Sequence, residues 1–547
     1  MRPPEPTASK TVGPIGMTLL TDPWMPVRRR DGRGDWVSPL EISDPDIVAF
    51  NACRPDFNGA LAQFVVGLLQ TAVPVNTEAG WSQLFANPPS SATLSEWFSP
   101  FAAAFELDGR GARFMQDFSL GVDEGTENEI GALLIESPGE NALKNNSDHF
   151  VKRGQISALC RDCVAAALLT LQVNAPSGGA GHRTGLRGGG PLTTLILSDP
   201  PSSLWRDMWL NVQAPRYFLQ SGGDPEKSVL HYTFPWLADN SALQKSGGEV
   251  APVQVHPAHV FWAMPRRIRV DFSALSAGEC DICHRPSSSL VRRYLTKNYG
   301  LNYKGAWDHP LSPYYRVKED WLPVHPQPGG IGYRHWLGWV CGLRSEKELR
   351  RARAVENFLQ LRRQTSGQLR LWVFGYDMDN MKARCWYEST LPLYGFADCS
   401  AEVQHGIEFD VALWLAGAEF AALCLRTAVK DAWFSGEARG DFSAIDASFW
   451  SVTETAFYAH LKNLIKLRRG GAESAPQQLL EKWHQLLVRT ATDLFDSDFV
   501  GAGPVERQNP RRVAHAYQRL ARTLRGPKMR KVLGLPSAST DNFTHAP

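Results

Sequence analysis

A chain of 547 residues with 43% hydrophobic and 21% charged side chains has the composition of a folded protein of two or three domains, not of a disordered or fibrous one. Its formal net charge of +2 carries no polyanion-binding signature by itself, so any basic surface has to be local. Nine cysteines, an odd number, argue against a disulfide framework, and 18 tryptophans point to large cores or interfaces.

In chain order, residues 1–16 lack an apolar core of signal-peptide length and read as a disordered leader, with Met17 as an alternative start. Residues 19–39 predict a strand–turn–strand opening around Asp31-Gly32-Arg33-Gly34. Residues 59–73 carry apolar side chains at helical spacing and predict a buried helix; residues 165–175 predict a second, running into a glycine-rich loop. To about residue 400 the chain mixes Pro, Gly, short strand-like runs and basic helices. The fold class expected is α+β, a large irregular N-terminal domain over 17–400 followed by a four-helix bundle over 401–533. The bundle rests on four apolar stripes. The first holds Phe409, Val411, Trp414, Leu415, Ala418, Ala422, Leu425 and Val429, and the second Phe449, Val452, Phe457, Leu461, Leu464 and Ile465. Leu479, Leu480, Trp483, Leu486, Leu487 and Leu494 make the third. The fourth starts at Asn509-Pro510, carries Val513, Tyr517, Leu520 and Leu524, and stops at Gly526-Pro527. Residues 534–547 read as a disordered tail. The longest apolar stretch, residues 411–425, is interrupted by Glu419 and closed by Arg426, which is too short and polar for a membrane span, so a cytoplasmic protein is expected.

Two CxxC pairs stand out, Cys160/Cys163 and Cys280/Cys283, separated by 116 residues. Each pair puts two thiols on one side of a tight turn, half of a tetrahedral zinc site, so a closed, structural zinc held by all four cysteines would staple distant segments. Incidental buried cysteines or a redox pair are the plain alternatives. Residues 176–190 are rich in glycine and carry Arg183 and Arg187, a bare backbone beside positive charge that suits approach to phosphates or a groove; a flexible loop without a ligand is the alternative. It fits neither a Walker loop nor a dinucleotide fingerprint. Residues 344–370 hold eight Lys/Arg against three Glu, and residues 501–531 nine against one, with Arg511, Arg512, Arg519 and Arg522 off the apolar stripe. Such one-signed clusters suggest a polyanion path, although a solvated face is the commoner role. Familiar catalytic motifs are missing. Asp308-His309 is the only hint of a metal-dependent nuclease, and an exposed structural turn is the preferred reading of it.

Taken together, LLTDPWMPVR (19–28), the Phe150-Val151 loop before ALCRDC, NAPSGGAGHRTGLRGGGPLTT (174–194), the CDIC pair, WDHPLSP (307–313) and GYDMDNMKARCWYE (375–388) resemble the CasA family in their shared order. That family is the large subunit of the type I-E CRISPR Cascade complex. The resemblance implies a non-enzymatic subunit that binds target double-stranded DNA, recognises the protospacer-adjacent motif, helps start strand separation and helps recruit a separate helicase-nuclease. Its partners would be the other Cascade subunits and the 5′ handle of the guide RNA. Docking on that handle maps to residues 141–153, with Lys144, Phe150, Lys152 and Arg153. The family's glycine loop maps to residues 177–181, giving Ser177, Gly178, Gly179, Gly181 and the adjacent Arg183 as DNA contacts, and its wedge residue to Asn380. A lysine of the family falls on Glu279, a departure, because a carboxylate repels phosphate. A purely structural scaffold is the remaining alternative.

Overall fold

The computed structural model describes residues 16–138, 144–145, 154–179, 181–220, 222–341, 348–361, 368–379, 382–394, 399–435, 441–504 and 508–536. Residues 1–15 of the expected leader and residues 537–547 of the expected tail lie outside them.

The opening is a three-stranded antiparallel sheet, order β2-β1-β3, from β1 (Met25–Arg29), β2 (Gly34–Val37) and β3 (Ile47–Phe50). The Asp31-Gly32 turn closes β1 on β2 through the Arg29 amide bonding the Arg33 carbonyl at 2.8 Å, as the turn residues predict. Helix α1 (Pro55–Ala72) is buried almost all round, which is why its sequence shows little polar face. Its Phe64 ring sits edge-on to Trp24, Phe105, Phe114 and Trp262, joining five aromatic side chains into one core.

The next stretch supplies β4 (Thr126–Glu129), α2 (Arg161–Asn174), β5 (Thr193–Asp199), β6 (Arg267–Val270), β7 (Ser276–Glu279), β8 (Pro286–Leu290) and β9 (Arg293–Lys297). Strand β9 lies between β4 and β6, while β7 and β8 form a separate hairpin. After β10 (Tyr314–Val317), β11 (Asp320–Pro323) and β12 (Leu349–Arg350) come two long strands, β13 (Gln368–Asp379) and β14 (Lys382–Leu393). These two pair from Leu369–Leu393 to Asp379–Lys382 with a register shift between Asp377 and Met378, and β5 completes the sheet on the other edge of β13. All of these strand pairs are antiparallel and the sheets small, the signature of an α+β body.

Four helices then make the C-terminal bundle, α3 (Ala401–Trp433), α4 (Ser443–Arg469), α5 (Gln477–Leu494) and α6 (Pro510–Arg525). Asp410–Arg468 at one end and Arg426–Asp446 at the other fix α3 antiparallel to α4, and the Trp483 indole donates to the Trp414 carbonyl at 3.1 Å in the core. The Asn509 side chain accepts the Arg512 amide, so the predicted start of α6 is its real one. Two stripe residues are misplaced in the sequence reading: Phe409 and Val452 are 65% and 58% exposed. Phe409 stands about 200° around the helix from Val411 and cannot share its face; on α4 the buried position is taken by Thr453, whose hydroxyl lies 2.8 Å from that of Tyr333. Tyr333 also stacks on Phe457 at 4.3 Å, and the Trp336 indole donates to the Pro392 carbonyl, so residues 333–336 peg the bundle to β14.

The apolar run read as residues 411–425 is part of a 33-residue helix, α3, which is long and apolar enough to cross a membrane by composition. Half of its apolar window is buried against the other bundle helices, and it carries a buried aspartate, Asp410, paired with Arg468, which suits the core helix of a bundle.

Candidate metal centre and nucleic-acid interface

At the start of α2, Cys160 is the N-cap residue and its sulfur accepts the Cys163 amide. The other pair sits in the turn joining β7 to β8, where Cys280 and Arg285 close the knuckle through a 3.0 Å backbone bond. Besides the Arg285–Asp162 ion pair, three ties hold the knuckles together. The Asp281 carboxylate takes the amides of Ser157 and Ala158 at 2.6 and 2.8 Å, Leu159 and Val291 exchange backbone bonds, and the Cys160 amide points at the Cys280 sulfur. The result is four sulfurs all within 4.8 Å of one another, with 3.7 Å between those of Cys160 and Cys283. Zinc–sulfur bonds of about 2.3 Å in a tetrahedron place sulfurs about 3.8 Å apart, so these residues fit zinc. The thiols act on one another: hydrogen bonding from Cys160 and Cys163 holds the Cys280 thiol well below its usual range, while the Cys163 thiol, donating to its neighbours, is held well above. Arg285 backs the site, its guanidinium 4.0 Å from the Trp36 ring centroid and 3.1 Å from Asp162. The arrangement has no open ligand position, and what zinc would supply there is cross-linking.

The glycine loop leaves the other end of α2. Arg266 clamps it from below: one guanidinium nitrogen donates to the Pro176 carbonyl, and the other lies 2.5 Å from His182 Nδ1. Burial pulls Arg266 down to about 10, so it remains charged at neutral pH. The Tyr299 amide binds the Gly181 carbonyl at 2.8 Å, and the Arg183 guanidinium lies over the Tyr299 ring. Gly178 and Gly181 are pressed against their own protein, since a Cβ would come within 2.7 Å of His182 and of Asn298 respectively. Gly179 is different. It is exposed, and a Cβ there would meet nothing within 4 Å. Ser177 is exposed beside it. Gly190, ending the same segment, packs so closely on Tyr376 that a Cβ would lie 2.6 Å from that side chain and 3.0 Å from the Met378 methyl. The glycine segment and the β13–β14 hairpin therefore share one root. The described strands close on the pair Asp379–Lys382; Asn380 itself lies outside the described residues.

Other expected residues fare unevenly. Phe150, Lys152 and Arg153 also lie outside the described residues, and Lys144 is exposed. Arg187 does not join Arg183 on the surface; it is buried and bonded to Thr193, Ser312 and Gln63. Glu279 is exposed on β7 and pairs with His284 at 3.2 Å. It stands next to Cys280, at the far end of α2 from the glycine loop, roughly 20 Å away for 14 helical residues. The positive groups that do flank the loop are Arg183 and exposed Lys245, whose carbonyl accepts from Arg183. No sequence signal marks Lys245, because 62 residues separate the two. In the 344–370 cluster three of the described arginines serve the fold. Arg350 and Arg353 pair with Asp308, and Arg351 with Glu356. Those pairs also occupy the candidate nuclease aspartate, and His309 is buried against Phe261, so this is not the exposed turn expected from the sequence. In the 501–531 cluster Arg512 caps the last carbonyls of α3 and Arg519 pairs with Asp431. Arg511, Arg522, Arg525 and Lys531 are exposed and have no ion-pair partner among the described residues.

Fold and site together define an α+β protein with a C-terminal four-helix bundle, a closed cysteine set at one end of α2 and a glycine-loop surface at the other. The chain belongs to the family of CRISPR-associated protein Cse1, whose family model matches residues 18–494. Its fold is shared with solved structures at low sequence identity. Thermobifida fusca Cse1 is 16% identical with a TM-score of 0.68, over 95% of this chain and 98% of that one. A Thermus thermophilus structure described as CasA (Cse1) is 16% identical with a TM-score of 0.65, over 95% and 99%. A chain of a structure described as a CRISPR RNA-guided surveillance complex is 17% identical with a TM-score of 0.66, over 94% and 100%.

Proposed function

We propose that this chain is the large subunit of a type I-E Cascade complex in the cytoplasm, a binding subunit that performs no chemistry of its own. In this reading it recognises the protospacer-adjacent motif on double-stranded DNA, starts strand separation, and leaves sequence reading to the guide RNA. The observation that carries the reading is the shared root of the glycine loop and the β13–β14 hairpin, with Gly190 against Tyr376 and Met378. A bare loop that can enter a narrow minor groove belongs to the segment rooted on this hairpin, and the wedge candidate Asn380 falls between its two strands in sequence, so capture and prising apart would act on nearby bases. Arg183 and Lys245, rather than Glu279, would supply the positive charge at the groove. The α+β part over 17–400 would dock on the guide-RNA handle through residues 141–153. The bundle over 401–533 would face the opened DNA and help recruit the separate helicase-nuclease, and a structural zinc would sit at Cys160, Cys163, Cys280 and Cys283.

The test is a gel-shift of the guide-loaded complex, assembled with and without this subunit, across a library of motif variants. Binding should depend on the motif only when the subunit is present. Equal binding to all variants in both assemblies would reduce the chain to a scaffold.

A further inference from the structure

Behind the glycine segment lies a small cavity bounded by Gln63 of α1, Gln172 of α2, Arg187, Phe261 and His309, with about 10 Å³ for the centre of a water-sized sphere. That is room for one water or one monatomic ion. Arg187, 4% exposed, brings a full charge into this interior. A guanidinium has five N–H donors. Three of them go to neutral groups, Thr193 Oγ1 at 3.0 Å, Ser312 Oγ at 2.8 Å and Gln63 Oε1. No carboxylate pairs with it among the described residues, and its remaining donors have no protein acceptor there. Burial pulls its pKa down to about 10, leaving it charged at neutral pH.

His309 adds a donor. Its Nδ1 accepts the Leu311 amide at 3.2 Å, so the ring proton sits on Nε2. Burial, with the charge of Arg187, holds its pKa well below the usual value and the ring neutral. The Gln63 amide gives one N–H to the Gly59 carbonyl at 3.2 Å and has another to spare. The side chains around this cavity thus offer spare donors and an unbalanced positive charge. A lone buried cation is costly unless something neutralises it.

We propose that the cavity is a halide site, occupied by a single chloride held by the Arg187 guanidinium, the His309 Nε2–H and the Gln63 amide. A water molecule would satisfy two of these donors but must place its own two hydrogens, whereas a halide only accepts. Sulfate and phosphate are too large. The ion would also fix the glycine segment, because Arg187 immediately precedes Gly188–Gly190 and bonds to Thr193 at the start of β5.

Two measurements on the full chain test this. Crystals soaked in sodium bromide should show anomalous density in the cavity within hydrogen-bond distance of Arg187. Thermal unfolding at constant ionic strength should show a saturable rise of a few degrees in chloride or bromide but not in gluconate. Arg187→Met should abolish the halide increment, and Gln63→Leu, which keeps the charge, should move its midpoint to roughly tenfold higher halide for one lost hydrogen bond. Should Arg187→Met fail to fold, the bromide map and Gln63→Leu still decide. A cavity holding only water or nothing, or a halide increment that persists unchanged in the variants, overturns the assignment.

Discussion

Gly179 and Gly181 share one backbone conformation, with φ of +83° and +81°, but face different surroundings. A side chain at Gly179 projects into open space, and asparagine is among the few residues that adopt positive φ, at a cost of about 1 kcal/mol. Gly179→Asn should therefore leave the melting temperature nearly unchanged while weakening duplex capture by the assembled complex. Gly181→Ala drives a Cβ to 2.7 Å from Asn298 and should lower both melting temperature and capture. Normal capture by Gly179→Asn would remove the loop from the groove. A second residue-scale prediction concerns His259, whose Nδ1 lies 3.0 Å from the Tyr232 carbonyl and whose Nε2 lies 3.1 Å from the Tyr303 hydroxyl. Burial pulls its pKa from 6.5 down to about 4. The unfolded chain then binds the extra proton first, so this contribution is whole above pH 6.5 and fades as pH falls toward 4, by about 1.4 kcal/mol per pH unit. In denaturant titrations, His259→Gln should be less stable at pH 7 but show a slope shallower by about that amount between pH 4.5 and 6.5. Parallel curves would refute it.

At the scale of elements, legibility followed periodicity and punctuation. The four bundle helices were readable because their apolar stripes recur at helical spacing, and α6 because Asn509, Pro510 and Gly526-Pro527 mark its ends. The misread residues, Phe409 and Val452, are apolar side chains on solvent faces, which composition alone cannot separate from core. The basic clusters needed contacts to interpret: Arg350 and Arg512 look alike in sequence, and both bond to their own protein. What remains on α6 is a narrower charged face. Arg522 and Arg525 are exposed one turn apart near its C-terminus. If this face lies along opened DNA, replacing both by Gln should weaken binding of the assembled complex uniformly across motif variants. The slope of log K against log salt should shrink by about 0.9 per lost phosphate contact, so by about 1.8 for the pair. An unchanged slope would place the DNA elsewhere on the bundle.

For the whole molecule, the order of an α+β body before a helical bundle could be read from the change of pattern near residue 400, whereas the tie between the parts could not. Tyr333 reaches Thr453 across 120 residues, and Arg187, which looks like a surface charge in a glycine-rich loop, is a buried one. The cysteine set lies between these extremes, because the two CxxC turns were visible but only the fold joins them. What they join is informative. One pair caps α2, which runs from the cysteine set to the glycine loop, and the other closes the β7–β8 hairpin. Without a metal, four thiols within 4.8 Å keep only weak sulfur hydrogen bonds, and the Asp281, Leu159–Val291 and Arg285–Asp162 ties are left to hold the two distant segments. Structural zinc supplies folding free energy directly. The bundle has its own core around Trp414 and Trp483 and contributes no ligand to this site. Elemental analysis should therefore find one zinc per chain. Chelation, or Cys163→Ser, should split the calorimetric unfolding into an early transition of the α+β part and a later one close to the original temperature for the bundle. Capture of motif DNA should be lost with the first transition, since α2 carries the glycine loop. Metal-free protein that unfolds as the wild type does would show that packing alone fixes the two knuckles and that the cysteines are core residues.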